Sequence, residues 1–366
     1  MSTCIFSVLL IGVTALYCLT ISWFSMGVLR LVSRKKPKQI FAGRVSVIVP
    51  FRNEHMRIKP LLESLSKQQL QNVEFIFVDD HSQDSTAEVI HTFAYSNYCI
   101  LPSNGYGKKS ALRTAVAKAK GEVLLFTDAD CIVPSCWIEE MTLPFSTEGA
   151  DLVAGPVSIK GRGWLAGILY WDQMALVASS AGSGAMGFPF MCSGANLAIK
   201  AACYPCESIL GDERSSGDDV FLLHHLQREK KNIRFVWNKD ACVLTLPESS
   251  WLAFFKQRMR WAGKASGYSN GMAVFVSLLV LFCSASLLFG GLLSAIHPSL
   301  LSTLLICLGL KAAFDFLFLL LSERGLGHSG RLHYFLPAFF FHVLYVFPVA
   351  VLSQLVRAEW KNRKIN

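Results

Sequence analysis

Residues 123–130 read Val-Leu-Leu-Phe-Thr-Asp-Ala-Asp, a short apolar run that leads directly into two acids. Two runs of the same kind come earlier, Val-Ser-Val-Ile-Val at 45–49 and Glu-Phe-Ile-Phe-Val at 74–78. Helical spacing of apolar residues occurs between and after them, at 56–68, 85–94 and 108–119. Strands that alternate with helices of about 10–15 residues are typical of an α/β fold with a doubly wound parallel sheet. We therefore predict such a sheet for the middle of the chain.

The end of every predicted strand carries acids or other polar residues. They are, in chain order, Arg52, Asn53 and Glu54, then Asp79 and Asp80, then Asp128 and Asp130. In a doubly wound sheet the ligand lies beyond the carboxyl ends of the strands, so these residues are the main candidates for a site. Two carboxylates one residue apart suit Mg²⁺ or Mn²⁺, which proteins often hold with one or two carboxylates together with substrate phosphates.

A glycine-containing loop adds a candidate anion-binding element. The loop spans residues 103–107, and Lys108 and Lys109 follow it at the start of a predicted helix. Backbone N–H groups at a helix start and lysine side chains both attract phosphate. Asp79 and Asp80 could accept hydrogen bonds from a ribose or a base. Together with the metal, these features predict a site for a nucleoside diphosphate.

Three further motifs lie downstream. They are Ser-Gly-Ala-Asn at 193–196, Gly-Asp-Asp at 217–219 and Gln-Arg-Met-Arg-Trp at 257–261. Asp218 and Asp219 have two interpretations, as helix caps or as acids that remove a proton from a nucleophile. Residues 249–265 carry aromatic anchors and flanking cations, so we predict a helix at the membrane interface there.

The apolar residues are concentrated at the two ends of the chain. The chain has 366 residues and a net charge of +9, and 52% of its residues are hydrophobic. Only 17% are charged, against about 25% in a typical soluble domain. This composition excludes a disordered chain, a small disulfide-bonded secreted protein and an ordinary cytosolic enzyme. A membrane span needs about 20 apolar residues, and four segments are long enough: 4–29, 272–296, 300–321 and 335–356.

The distribution of charge predicts an orientation in the membrane. The basic residues Arg30, Arg34, Lys35, Lys36 and Lys38 follow the first apolar segment without an acid among them. We therefore predict that the middle region is cytoplasmic, and that a bacterial protein of this kind lies in the inner membrane. A basic tail after Val356 conflicts with three later spans, which leaves two or three C-terminal spans as alternatives. The predicted organisation is a membrane helix at 1–32, a cytoplasmic domain at 40–265 and a membrane region at 270–357.

Other features have both a structural and a functional interpretation. Lys311 and Asp315 stand four residues apart and could neutralise each other or mark a headgroup or transport site. Cys203 and Cys206 form a lone Cys-x-x-Cys, for which buried or incidental reduced thiols are favoured over metal or redox use. Residues 164–190 contain a single ionised residue, Asp172, and form either a membrane-dipping element beside an acceptor entrance or an internal helix.

The motifs, taken in this order, resemble the membrane-bound family 2 glycosyltransferases, whose catalytic domain has the GT-A fold of nucleotide-diphospho-sugar transferases. The resemblance covers about residues 45–261. It depends on seven motifs, at 47–54, 78–82, 107–109, 128–130, 193–196, 217–219 and 257–261. It implies a single inverting displacement at the anomeric carbon of a nucleotide sugar, with Mg²⁺ or Mn²⁺ as cofactor.

The resemblance also implies a role for each motif residue. On the donor side, Pro50, Arg52 and Glu54 would line the nucleotide pocket. Asp79 and Asp80 would hold uracil or ribose, and Lys108 or Lys109 would contact the nucleotide. At the reaction centre, Asp130 with Asp128 would coordinate the metal on the diphosphate, and Asp219 would be the general base. Around the acceptor, Gln257, Arg260 and Trp261 would bind the diphosphate and frame the acceptor, with Asp218, Gly194 and Asn196 on the acceptor side.

The acceptor and the number of sugars transferred stay open. Cellulose- and chitin-type synthases have Thr-Glu-Asp or Glu-Asp where this chain has Gly-Asp-Asp at 217–219. The Gln-x-x-Arg-Trp motif is shared by processive synthases and by lipid glucosyltransferases of the ceramide type. We favour transfer of one sugar, from a UDP-sugar, to a lipid at the cytoplasmic face. The alternatives are a processive polysaccharide synthase and a non-enzymatic membrane scaffold or flippase with a degenerate transferase domain. The net charge suits anionic membrane lipids and a diphosphate donor, so it does not require a nucleic-acid partner. The sequence shows no nucleic-acid-binding motif.

Overall fold

The computed structural model describes residues 2–34, 39–68, 72–93, 97–205, 217–355, 359–360 and 363–364. The helical unit comprises Met1–Leu29, Gly161–Phe188 and Pro247–Ile365, and the sheet unit comprises Arg30–Lys160 and Pro189–Leu246. Of the predicted domain at 40–265, residues 161–188 and 247–265 group with the apolar helices in this division. Several residues of the predicted features lie outside the described residues, namely Lys35, Lys36, Lys38, Cys206, Arg357 and Lys361.

The helices and strands follow one another in this order. The first half contains α1 (Ser2–Val32), β1 (Val45–Phe51), α2 (Lys59–Leu65), β2 (Val73–Asp79), α3 (Thr86–His91), β3 (Tyr98–Pro102), α4 (Lys108–Val116), β4 (Val123–Phe126), β5 (Cys131–Ile132), α5 (Trp137–Thr147), β6 (Leu152–Ala154), β7 (Val157–Ile159) and α6 (Trp164–Ala185). The second half contains β8 (Leu197–Lys200), α7 (Asp218–Arg228), β9 (Ile233–Phe235), β10 (Val243–Thr245), α8 (Trp251–Ala262), α9 (Gly271–Ser294), α10 (Leu301–Gly325), α11 (Phe335–Leu355), β11 (Glu359–Trp360) and β12 (Arg363–Lys364).

The main sheet of the sheet unit has the strand order β3-β2-β1-β4-β8-β6-β9. The first four of these strands run parallel, with Phe51 opposite Asp79 and Ile48 opposite Phe126. β8 is antiparallel to β4 and β6, while β9 is parallel to β6. A smaller sheet has the order β5-β10-β7. The predicted mainly parallel sheet is confirmed, and the carboxyl ends of β2, β1 and β4 are neighbours at one edge.

Every residue of β1 is buried, which explains why its sequence is a continuous apolar run and does not alternate with polar residues. Val47 and Leu125 belong to a core that also contains Trp137 and Met141 of α5. Complete burial of a large apolar side chain stabilises the fold by roughly 1.5–3 kcal/mol. These strands therefore form a stable base for the polar residues that follow them.

The predicted helices of the sheet unit are present but shorter than expected. α2 begins at Lys59, because Pro60 fits the first turn of a helix and residues 55–58 form turns instead. α3 and α4 likewise end early, at His91 and Val116. β3 was not predicted, since this five-residue edge strand is half exposed and lacks a continuous apolar run.

Four helices of the helical unit, α1, α9, α10 and α11, are long and apolar enough to cross a membrane. They agree with the four spans predicted from sequence. Large apolar residues project outward from them, and Leu19, Ile306 and Leu317 are each more than 60% exposed. Such an apolar outer surface suits a hydrocarbon environment.

Lys311 and Asp315 of α10 form the ion pair that their spacing predicts. Lys311 Nζ lies 2.5 Å from Asp315 Oδ2, and the Tyr17 hydroxyl of α1 donates to Asp315 Oδ1 at 2.8 Å. Lys311 is almost fully buried. Each charge has a partner, so neutralisation accounts for an ionised pair between apolar helices.

α6 occupies most of the segment 164–190 and is largely buried within the helical unit. Tyr170 and Trp171 are both buried, and so is Asp172. This burial favours the internal-helix interpretation over a membrane-dipping element.

α1 and α6 come into close contact at two glycines. A Cβ atom at Gly27 would overlap the carbonyl group of Gly182, and a Cβ atom at Gly182 would overlap that of Phe24. We expect Gly27→Leu to force the helices apart and to lower the thermal unfolding midpoint of the purified protein, at a cost of about 1–3 kcal/mol. Gly12→Leu on the same helix is the matched control, since nothing lies within 4 Å of its Cβ position. Equal midpoints for the two variants would contradict this packing.

Candidate active site

Three chain segments meet around Asp80, which follows β2. Its Oδ1 accepts a hydrogen bond of 2.8 Å from the Gly107 N–H, and its own N–H donates to the Phe51 carbonyl at 2.9 Å. Arg52 Nη1 lies 3.9 Å from Asp80 Oδ2. Burial raises the pKa of Asp80, and the Gly107 bond and the Arg52 charge oppose part of that shift. Gly107 has a φ of +91°, which a residue with a side chain rarely adopts, so the loop before α4 depends on this glycine.

Asp79 stabilises the turn after β2. Its Oδ1 accepts a hydrogen bond of 2.8 Å from the Ser82 N–H, and the Ser82 hydroxyl accepts one of 3.1 Å from the Asn53 N–H. The segments after β1 and β2 are thereby connected. The structure thus brings Arg52, Asp79 and Asp80 to one edge of the sheet, as the strand pattern predicts.

A crowded group of carboxylates lies beyond β1 and β4. Arg57 Nη1 is 3.6 Å from Asp130 Oδ2, and Arg57 Nε is 2.9 Å from Glu54 Oε2. Burial, followed by the charges of Asp128 and Glu54, raises the pKa of Asp130 to about 6, although Arg57 opposes the shift. Negative charge is therefore concentrated around Asp130 beyond what Arg57 neutralises.

This donor set fits a divalent cation shared with a substrate. Carboxylate oxygens are hard ligands, and a bound cation would offset both the burial and the repulsion that raise the pKa of Asp130. Within the part of the chain that the structure describes, no group of three or more His, Cys, Asp or Glu side chains is arranged to hold a metal. Asp128 and Asp130 would supply carboxylate oxygens to such a cation, together with a bound diphosphate.

Lys108 joins this first acidic group to a second one. Its Nζ lies 2.5 Å from Asp128 Oδ1. Burial alone would lower the pKa of Lys108, but the charges of Asp128, Asp218 and Asp219 outweigh burial and raise the pKa above its ordinary value. Lys109, the other predicted candidate, is buried along α4. Lys108 thus pairs directly with a carboxylate of the site.

Asp219 lies in the first turn of α7, and backbone N–H groups hold both of its oxygens. The Gly194 N–H donates to Oδ2 at 3.0 Å, and the Val220 N–H donates to Oδ1 at 2.8 Å. The amino end of a helix also favours negative charge. The helix predicted to start here is confirmed, and Gly217 enters it with a φ of +102°. These bonds keep the Asp219 carboxylate in a fixed position next to Lys108.

A pocket lies over these residues inside the sheet unit. Its walls include Pro50, Lys108, Thr127, Gly194, Asp218 and Asp219, with Tyr204 and Leu222 on the apolar side. Tyr204 was missed from sequence because it lies within the Cys-Tyr-Pro-Cys segment, where only the thiols drew attention. Its ring centroid is 5.8 Å from that of Phe126, and burial together with Asp218 raises the pKa of its hydroxyl.

Asn196, which was predicted to lie on the acceptor side, is buried in the core of the sheet unit. Its side chain is fully buried, with Nδ2 donating to the Pro156 carbonyl at 2.7 Å and to the Ala241 carbonyl at 2.8 Å. Its Oδ1 accepts a hydrogen bond of 2.9 Å from Trp137 Nε1. The amide therefore connects the segments that precede β7 and β10 with α5 within the core, and a role toward an acceptor stays a prediction.

The motif at 257–261 lies on α8 of the helical unit. Gln257 Nε2 donates to Glu248 Oε1 at 2.6 Å, and Gln257 Oε1 accepts from Arg258 Nη1 at 3.1 Å. The Arg258 guanidinium lies 4.2 Å from the ring centroid of Trp261. Burial lowers the pKa of Arg260, and Glu248 opposes that shift. Gln257 and Trp261 are thus held by contacts with Arg258 and Glu248 on the same unit. Their binding of a diphosphate stays a prediction.

Comparison with known protein families identifies the class of this molecule. Residues 123–356, more than half of the chain, match the model described as Glycosyl transferase family group 2. Residues 46–176 also match Glycosyl transferase family 2. The chain belongs to glycosyl transferase family group 2. This match confirms the predicted glycosyltransferase class.

Named relatives align with part of this glycosyltransferase. The N-acetylglucosaminyltransferase of Bradyrhizobium diazoefficiens is 25% identical over 242 residues, which are 61% of this chain and 49% of the relative. The dolichol-phosphate mannosyltransferase of Saccharomyces cerevisiae is 39% identical over 92 residues, which are 23% of this chain and 34% of the relative. The glycosyltransferase therefore spans about half or less of these curated relatives.

A solved structure is similar over nearly the whole chain. The mannosyltransferase PcManGT from Pyrobaculum calidifontis, in complex with GDP-Man and Mn²⁺, covers 98% of this chain and 100% of its own, with a TM-score of 0.54. The sequence identity is 16%, so the similarity concerns the fold. It confirms the predicted GT-A-like fold of the glycosyltransferase.

Proposed function

We propose that this enzyme transfers a single sugar from a UDP-sugar to a lipid acceptor at the cytoplasmic face of a membrane. The observation that carries the proposal is the meeting of two acidic groups at Lys108. One group, Asp128 and Asp130, is suited to a metal and a donor diphosphate, and the other contains Asp219, which is suited to deprotonate an acceptor. The four apolar helices support an acceptor that is itself a membrane lipid. The name of the dolichol-phosphate relative supports the same class of acceptor.

In the proposed reaction Asp219 takes the proton of an acceptor hydroxyl while that oxygen forms a bond to the anomeric carbon. The bond between the anomeric carbon and the diphosphate oxygen breaks, and its electron pair leaves with the nucleoside diphosphate. The acceptor attacks opposite the leaving group, so the anomeric configuration inverts. Lys108 keeps a positive charge between the base and the donor side, where it limits repulsion between the acidic groups.

The donor would be held by residues at the strand ends. Arg52, Asp79 and Asp80 would hold the nucleoside, with Pro50 and Glu54 completing the pocket. Asp128 and Asp130 would hold Mg²⁺ or Mn²⁺, which when bound neutralises charge that develops on the departing diphosphate. Gln257, Arg260 and Trp261 would bind the diphosphate and frame the acceptor.

A donor and acceptor screen tests this proposal. The full-length protein in detergent is incubated with Mn²⁺ or Mg²⁺, a panel of UDP- and GDP-sugars and a total lipid extract, and nucleoside diphosphate release and product mass are measured. We expect UDP release that requires lipid and a lipid product heavier by one sugar. A ladder of long products would support a polysaccharide synthase instead. Absence of release with every donor would overturn the proposal.

The cytoplasmic face is tested with sealed membrane vesicles. Basic residues after α1 support placement of the sheet unit in the cytoplasm. We expect a protease to cut loops of the sheet unit in inside-out vesicles but not in right-side-out vesicles, as read by the size of the fragments. The opposite pattern would place the site outside.

A further inference from the structure

Arg258 occupies the first unspecified position of the Gln-x-x-Arg-Trp motif, and it is one of the buried charged residues of the helical unit. It is 7% exposed, and its Nε and Nη2 donate to Asp172 Oδ2 at 2.9 and 2.5 Å. The Tyr345 hydroxyl of α11 donates to Asp172 Oδ1 at 2.6 Å. Asp172, the single acid of α6, is thus paired with Arg258 of α8 and hydrogen-bonded to Tyr345 of α11.

The remaining face of Arg258 contacts two of the predicted donor-binding residues. Its Nη1 donates to Gln257 Oε1 at 3.1 Å, which leaves the Gln257 Nε2 directed at Glu248. Its guanidinium lies 4.2 Å from the Trp261 ring centroid and 4.9 Å from that of Phe254. The planar, permanently charged guanidinium can pair with a carboxylate and stack on a ring at once, which a lysine ammonium cannot do in the same way.

Arg258 stays positively charged in its buried position. Burial alone would lower the pKa of Arg258, but the charges and hydrogen bonds of Asp172 and Tyr345 outweigh burial and raise it. A buried ion pair contributes little net stability on average, because both ions lose their hydration. A role in fixing geometry explains its presence here better than a role in stability.

We propose that Arg258 is a positioning residue for Gln257 and Trp261, and that Asp172 and Tyr345 hold it in place. This inference rests on the proposed function, in which Gln257 and Trp261 act on the donor diphosphate and the acceptor. Arg258 sets the orientation of the Gln257 amide through a hydrogen bond and the plane of the Trp261 indole through stacking. It acts through these two side chains and does not itself contact the substrate.

The test compares two buried ion pairs of the same unit. Arg258→Met and Asp172→Asn break the first pair, and Asp315→Asn breaks the Lys311 pair as a matched control outside the motif. We expect the first two to raise the donor KM by about 10-fold, the effect of losing a hydrogen bond to a charged group. We expect all three variants to lower the thermal midpoint by a similar amount. Asp315→Asn should do so without changing the donor KM.

Two further variants keep the test decisive. Tyr345→Phe removes one hydroxyl and should fold, and we expect it to raise the donor KM by about 2-fold to 10-fold. Arg258→Lys keeps the charge, and we expect it to raise the donor KM, but by less than Arg258→Met does.

The outcomes separate this inference from the function on which it rests. Gln257→Ala reports on the motif itself. If Gln257→Ala raises the donor KM while Arg258→Met behaves like Asp315→Asn, the positioning role is overturned and the proposed function stands. If Gln257→Ala leaves the donor KM unchanged, the proposed role of the motif fails, and the positioning role fails with it.

Discussion

Asp219→Asn should lower the rate of sugar transfer by about 10²-fold to 10⁴-fold while donor binding is retained, because the substitution removes the proton acceptor. Both oxygens of Asp219 accept backbone N–H bonds, from Gly194 and Val220. An asparagine keeps one acceptor oxygen and must turn its NH₂ group toward one of these donors, so we also expect a stability loss of about 1–3 kcal/mol. Initial rates of nucleoside diphosphate release and calorimetric titration of the donor measure the two effects separately.

Asp151→Asn is the matched control for this substitution. Asp151 lies in the same unit, accepts a hydrogen bond of 2.9 Å from the Asn232 N–H and pairs with Lys200 at 2.9 Å, outside the candidate site. We expect it to lower the thermal midpoint and to leave the transfer rate near that of the unmodified enzyme. Full activity of Asp219→Asn would show that another group takes the proton.

The strands that could be predicted are those with a strong apolar signal. β1, β2 and β4 are buried on both faces, so their residues form continuous apolar runs that stand out against the polar residues after them. The short strands β5 to β10 have two to four residues and show no recognisable period. Their pairing depends on long-range contacts, which a local pattern does not contain.

The local sequence pattern also could not predict that α6 and α8 group with the apolar helices. Composition shows that residues 164–190 carry little charge, but it does not show which unit they join. The partner of Asp172 is Arg258, 86 residues away along the chain. Only the folded chain reveals that this pair lies against Gln257.

Side-chain direction accounts for the rest of the difference at the site. The order of motifs correctly placed Arg52, Asp80 and the acids after β4 at one edge, because carboxyl ends of parallel strands meet there. It did not show that Asn196 faces the core, or that Tyr204 lines the pocket. A motif fixes the position of a residue along the backbone, and packing decides which way its side chain points.

Asp130→Asn should raise the Mn²⁺ concentration needed for half-maximal activity by about 10-fold or more, because the site loses one of its two predicted anionic ligands. The burial and crowding that raise the pKa of Asp130 show that negative charge is concentrated at this point. A neutral amide of the same size removes that charge with little change in packing. Binding of Mn²⁺ to the protein with nucleoside diphosphate, followed by electron paramagnetic resonance, measures the loss without depending on activity.

Arg57→Gln is the matched substitution with the opposite expected sign. Arg57 Nη1 lies 3.6 Å from Asp130 Oδ2 and supplies positive charge where the metal would lie. Its removal leaves the carboxylates more negative, so we expect half-maximal activity at a lower Mn²⁺ concentration. A shift in the same direction for both variants would mean that they disturb the local fold. Unchanged Mn²⁺ binding in Asp130→Asn would show that this carboxylate is not a ligand, because an acid that coordinates the metal cannot be neutralised without a loss of affinity.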